Sequence, residues 1–237
     1  AIEQKILEST VIGPSTRRYL TALIEGRDPK ETSGAGNTNG SAMRVAPIGV
    51  KYHYDMAKCL EAAAASSLPS HGSRPAVAAA CAVAAAVSAG VHGGYSVNEV
   101  LNAAYEGALY GEARGAEITA PSVAKRIRVV ERIVDEAGDA GIRAILDEIV
   151  GVLGASMFAY ESVPLALGAF YAVKGNGRDG VLAAINAGDD ADTNGAICGN
   201  ICGAYSGASA FPDVWKDRVQ KTSCLDMKSM AEKLIAK

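Results

Sequence analysis

From Gly195 onward, glycine returns at every fourth position, at 195, 199, 203 and 207, in a stretch otherwise built mostly from Ala, Ile, Cys and Asn. Residues four apart share one face of an α-helix, so the run describes a helix with one face stripped of side chains. Each such glycine costs a helix about 1 kcal/mol relative to alanine. Four together need a packing reason, and the close approach of another helix supplies one. The pattern therefore calls for a helix among helices. It predicts that this helix lies buried at the centre of a bundle and holds the preceding segment rigidly at its N-terminal end.

That preceding segment is Asn186-Ala-Gly-Asp-Asp-Ala-Asp-Thr193. Asp190, Asp192 and Thr193 place oxygen donors at i, i+2 and i+3, a spacing at which a loop entering a helix turns them toward one point. Oxygen-only donors suit Mg²⁺, Ca²⁺ or Mn²⁺ rather than zinc or copper. The simpler reading is that Asp192 or Thr193 caps the helix. The helix dipole favours carboxylates at this end and opposes a bare cation, so a metal here needs further acidic ligands from elsewhere in the chain.

Across 237 residues the hydrophobic fraction is 49% but aromatics are only 5%, so the core must be filled by aliphatic and small side chains. Net charge is −3 with scattered Lys and Arg, which excludes the basic stripe of a nucleic-acid binder. The five cysteines (59, 81, 198, 202 and 224) show no metal-ligand or disulfide spacing and read as packing residues in a reducing, cytoplasmic setting. The uncharged stretch from Pro75 to Gly94 is dominated by alanine and fits a buried helix better than a membrane span.

Helical spacing recurs along the chain and strand alternation does not. Residues 1–10 read as the end of a helix; Ser15 caps a second that runs to about Glu25. The polar loop 33–40 (SGAGNTNG) offers successive backbone N–H groups as an anion-binding nest, and it leads into a helix at 42–45. A plain surface turn explains the same composition. Ser73 and Pro75 open the alanine helix. Further helices are expected at 96–112, from Pro121, at about 141–151, from about Pro164 to Val173, at 179–186 and at 226–236, and the charged face of the helix after Pro121 is expected to be solvated. Of three histidines, His53 and His92 read as surface or capping residues, whereas His71 occupies a tight polar turn suited to contacting a ligand. With no linker and no internal repeat, residues 1–237 read as one all-α domain.

Three blocks together resemble the ADP-ribosylglycohydrolase family, which includes the dinitrogenase reductase-activating glycohydrolase. They are Gly36-Asn-Thr-Asn-Gly-Ser-Ala-Met-Arg-Val-Ala-Pro-Ile-Gly49, Ser70-His-Gly-Ser-Arg-Pro-Ala76, and Val163-Pro164 through Gly188-Asp-Asp-Ala-Asp-Thr193 to Gly207. The resemblance implies an orthogonal all-α fold with two divalent cations, Mg²⁺ or Mn²⁺, in a cleft. It implies hydrolysis of the bond from C1″ of an ADP-ribosyl ribose to a protein side chain or small acceptor. Position by position, Asp190, Asp192 and Thr193 match the metal-ligand motif, Gly36, Asn37, Thr38 and Asn39 the diphosphate- and ribose-holding segment, and His71 the ligand-contacting histidine. The expected partner is thus an ADP-ribosylated protein or a small ADP-ribosyl molecule, with neither nucleic acid nor membrane involved.

One departure qualifies the match. The family's Thr-Asp-Asp ligands and its acidic catalytic residue belong upstream of the block near Gly13, and this sequence has no such run. On that reading the chain starts inside the fold and lacks its first helices, and the catalytic residue is unassigned. Alternatives are a hydrolase of a nucleoside or other small ribosyl compound, a non-catalytic ligand-binding or crystallin-like member, and a helical protein whose acidic loop holds Ca²⁺ for stability.

Overall fold

The alanine-rich segment is the axis of the molecule. In the computed structural model, residues 12–28 and 30–235 are described, without the side chains of residues 30 and 31; the helix end expected at 1–10 lies outside them. In chain order the helices are α1 (Pro14–Ile24), α2 (Lys30–Ser33), α3 (Ala46–Lys51), α4 (Met56–Ser67), α5 (Arg74–His92), α6 (Val97–Glu112), α7 (Val123–Glu136), α8 (Ile142–Leu153), α9 (Ala159–Ala172), α10 (Gly177–Asn186), α11 (Ala191–Ser206), α12 (Asp213–Ser223) and α13 (Met227–Ile235). Two 3-10 turns lie at Ala42–Arg44 and Ala208–Ala210. No strand occurs among the described residues, so the all-α expectation holds.

Every residue of α5 from Pro75 to Gly90 is buried, the signature of a helix apolar on all sides. It passes the length and composition test for crossing a bilayer, but 89% of that window is buried inside the protein. Helices α3, α4, α6, α9 and α11 pack around it. Small side chains are what allow so many neighbours at once. At Gly111 of α6 an added Cβ would stand 2.6 Å from the Cα of Ala78, so the two backbones meet with no side chain between them.

The glycine-rich helix sits one layer further out than expected. Its stripped face is indeed approached closely: a Cβ at Gly195 would meet Ile185 at 2.5 Å, and one at Gly199 would meet Val181 at 3.1 Å, both on α10. Yet Asp192 and Ala196 are exposed on α11. A helix carrying a carboxylate in its first turn keeps a wet face, whereas α5 has no charge between Pro75 and Val91. The fourth glycine is not part of the stripe: Gly207 adopts φ +76° and ends the helix. Cys198 and Cys202 are buried with their sulfurs 3.8 Å apart. The bond to Cys202 and burial hold the Cys198 thiol well above its usual pKa, so it serves as a packing group.

Several helix boundaries and one charged face differ from expectation; Ser15 is not a cap but lies inside α1, whose N-cap is Gly13. Helix α9 begins at Ala159, with Pro164 inside it. A proline within a helix deprives the carbonyl four residues earlier of its donor, here that of Tyr160. Arg126 Nη1 supplies the missing bond at 2.9 Å and also donates to Leu153 O at 3.0 Å. Arg126 therefore turns away from the solvated face, on which Lys125 and Arg132 are exposed; Arg128 stays partly exposed with its guanidinium 3.8 Å from the Tyr105 ring centroid. The expected helix at 42–45 is a 3-10 turn followed by α3, because Pro47 starts a new helix there.

Replacing Arg126 by Met should destabilise the protein by about 1–3 kcal/mol in urea denaturation, since it leaves two carbonyls unpaired. In a Pro164→Ala background the loss should shrink by about 1 kcal/mol, because the alanine N–H can bond Tyr160 O.

Candidate functional site

Gly188 (φ +84°) and Asp189 (φ +49°) are consecutive left-handed residues that turn the chain sharply into α11. Such a conformation is rare for a non-glycine residue. Asp190 then occupies the N-cap position but makes no side-chain cap bond. Its Oδ2 instead accepts from Asn39 Nδ2 at 2.6 Å, across 151 positions of sequence. The same amide nitrogen donates to Ser162 Oγ at 2.9 Å, Ser162 donates to Asn194 Oδ1 at 2.6 Å, and Asn194 Nδ2 donates to Ala155 O at 2.8 Å. Ser162 and Asn194 are fully buried. Each donor finds an acceptor, so the network is closed, as a buried polar network must be if it is to fix geometry.

The 36–39 segment passes through an isolated bridge at Thr38 into a turn at Asn39 and does not form a nest. Asn39 N donates to Met157 O and Ala159 N to Asn37 O, which pairs Thr38 with Phe158 in an isolated antiparallel bridge. Gly36 N is bonded to Ser33 O, so two of the segment's four N–H groups already have partners inside the protein. No residue from 34 to 40 is left-handed, and an αR–αL nest requires one. Ser73, expected as a helix cap, makes no cap bond; its hydroxyl donates to Gly36 O at 2.7 Å.

His71 packs against the other side of this segment. Its Nε2 lies 3.1 Å from Thr38 Oγ1 and its Nδ1 2.8 Å from Ser70 Oγ. Arg44 donates to Ser70 Oγ at 2.9 Å and to Ser66 O at 3.3 Å. Burial, then the charges of Arg44 and Arg18, lower the His71 pKa to about 4. The ring is neutral at physiological pH.

These pieces enclose one cavity of about 400 Å³, lined by Arg18, the 36–40 segment, Arg44, His71, Met157, Asp190 and Thr193. Its size falls in the range of small-molecule sites. Two guanidinium groups and one carboxylate give it a basic and an acidic side. Asp192 is exposed and is not among the lining residues. Asp190 and Thr193 bring one carboxylate and one hydroxyl to the cavity, oxygen donors of the kind a hard divalent cation takes, while Asp192 stands outside it. Among the described residues no three His, Cys, Asp or Glu side chains gather as a metal site. Two ions are more than this donor set fills by itself. The remaining histidines lie elsewhere: His53 bonds Val50 O and His92 bonds His53 O.

Sequence reasoning did not single out Arg18, Arg44, Ser70, Ser162 or Asn194. Asn194 carried a usable signal, being an amide placed i+4 from Asp190 at the start of a small-residue run. Ser162 carried none, because a serine in an alanine-rich helix is ordinary.

An all-helical fold presenting an acidic helix N-terminus, a Gly-Asn-Thr-Asn segment and a histidine to one cavity defines the class of protein. The chain belongs to the ADP-ribosylglycohydrolase family, whose sequence model matches residues 4–237. It is 28% identical over 235 residues to the uncharacterized protein YegU of Escherichia coli strain K12, which covers 99% of this chain and 70% of that protein. It is 30% identical over 215 residues to an uncharacterized protein of Archaeoglobus fulgidus, covering 91% of this chain and 64% of that one. The chain thus spans roughly two thirds of the length of these relatives.

An unfolded histidine titrates near 6.5 and the native His71 near 4. Between those values the unfolded chain binds a proton that the native state does not. The stabilising contribution is complete above pH 6.5 and is lost as pH falls toward 4, amounting to at most about 3 kcal/mol. Urea unfolding across this window should show the decline in the wild type, and His71→Gln should flatten it.

Proposed function

We propose that the protein is a metal-dependent hydrolase that cleaves the C1″ ribosyl bond of an ADP-ribosylated side chain or a related ADP-ribosyl compound. The observation that carries this reading is the single cavity in which Asp190 and Thr193 face the 36–40 segment, His71 and two arginines. A diphosphate ester needs donors and positive charge, and Arg18, Arg44 and the Thr38 hydroxyl supply them on one side. A ribose needs hydroxyl-binding groups, and the acidic side supplies those. The reaction adds water oxygen to C1″, breaks the bond to the acceptor nitrogen or oxygen, and returns a proton to that leaving atom.

Asp190 and Thr193, with Asp192 beside them, are the residues that would hold a divalent cation, Mg²⁺ or Mn²⁺. Such an ion, when bound, orients ribose hydroxyls and lowers the pKa of a coordinated water. The second cation of a pair would draw on ligands beyond these three. Asn39 keeps the Asp190 carboxylate in place through the buried Ser162–Asn194 network, as outer-shell partners of a metal ligand commonly do. The His71 ring, uncharged, adds no positive charge of its own and acts through hydrogen bonds.

The purified protein, supplied with Mg²⁺ or Mn²⁺, should release free ADP-ribose from at least one of a panel of ADP-ribosylated arginine, serine and small-molecule substrates. Asp190→Ala should lower that rate by about 100-fold or more, whereas Asp147→Asn on the exposed face of α8 should leave it unchanged. Absence of release from every acceptor would remove the hydrolase reading. Retained ADP-ribose binding in that event would mark the chain as a binding member of the family.

A further inference from the structure

Four polar side chains form one line into the cavity: Arg44 Nη2 to Ser70 Oγ at 2.9 Å, Ser70 Oγ to His71 Nδ1 at 2.8 Å, and His71 Nε2 to Thr38 Oγ1 at 3.1 Å. Heavy-atom distances do not place hydrogens, but the chemistry of the first member does. A guanidinium only donates, so Ser70 Oγ accepts from Arg44 and has a single hydrogen of its own to place. Ser70 is buried, and the nearby Ser67 hydroxyl donates to His71 O instead. A proton on Nδ1 would aim two donors at Ser70 and leave its own hydrogen buried without an acceptor, an arrangement native interiors avoid. Nδ1 therefore accepts, and the neutral ring carries its proton on Nε2. That N–H donates to Thr38 Oγ1, which turns the Thr38 hydrogen away from His71.

We propose that Arg44 and Ser70 are positioning residues that set the direction of this line, holding His71 as the Nε2–H tautomer and making the Thr38 hydroxyl a donor into the cavity. The site thereby selects an acceptor oxygen, such as that of a phosphate, over a donor group at Thr38. The ligand part of the inference rests on the cavity being the substrate site proposed above; the tautomer does not. Gly40 belongs to the same device, since a Cβ there would stand 2.6 Å from His71 Nε2 and push the ring off Thr38.

Histidine ¹⁵N spectra of the ligand-free wild type at neutral pH, assigned with His71→Gln, read the tautomer directly. The expected result is an unprotonated, hydrogen-bonded Nδ1 and a protonated Nε2. An Nδ1–H tautomer, or a mixture of the two, overturns the proposal whatever the protein binds. Ser70→Ala should admit the Nδ1–H form, and Ser70→Thr, which keeps the hydroxyl, should restore the wild-type spectrum. By calorimetry with ADP-ribose and with inorganic pyrophosphate, Thr38→Val should weaken binding by about tenfold. Ser70→Ala should weaken it in the same direction and add nothing to Thr38→Val, as members of one chain do. Undiminished binding by Thr38→Val, or additive losses in the double variant, would overturn the proposal. If the wild type bound neither probe, the proposed function would fall, and the tautomer spectrum would still decide the hydrogen-bond line.

Discussion

The 36–39 segment is fastened to the N-terminal ends of three helices, and the site depends on that fastening. Ser73, at the start of α5, holds Gly36 O. Phe158, at the start of α9, pairs with Thr38. Asp190, at the start of α11, accepts from Asn39. These helices pack on one another, so their ends keep fixed separations and the segment between them has little freedom. A loop of small polar residues alone would be mobile; one tied at Gly36, Thr38 and Asn39 to a rigid core is preorganised.

Helix N-termini carry partial positive charge, and that of α11 opens on the cavity through Asp190 and Thr193. Asp190 and Asp192 stand at that end of the helix. Anionic ligands are favoured there, in step with Arg18 and Arg44. A cation bound beside Asp190 works against the same field, and the carboxylate has to outweigh it. Arg18 and Arg44 line the same cavity as Asp190.

Much of the fold was legible in periodicity. The alanine helix, the helices at 97–112 and 123–136, and the close approach to Gly195 and Gly199 follow from side-chain spacing, a local property. The rank order of burial was not legible. Glycine spacing singles out α11, yet α5 is the axis, because complete burial needs an absence of charge on every face and α11 has Asp192. A local reading starts α9 near Pro164, whereas the helix begins at Ala159 with the proline inside it. The compensating guanidinium of Arg126 comes from a different helix, which no local rule can foresee. Helices α4 and α12 drew no expectation, since alanine and serine in the one and charged residues in the other weaken the apolar stripe.

By itself the sequence determined the helical class, the small-residue core and the chemical character of the acidic turn, because spacing along a chain dictates which side chains share a helix face. Its three blocks also sufficed to name the family. Only the tertiary structure decided that Asp190 is held by Asn39 rather than capping its own helix, that Ser73 serves the loop rather than α5, and that Arg44 orients His71 through Ser70. In each case a hydroxyl, amide or carboxylate had a local partner within reach and a distant one as well. The choice between them depends on which geometry the packed helices leave open, and packing is not written in any window of neighbouring residues.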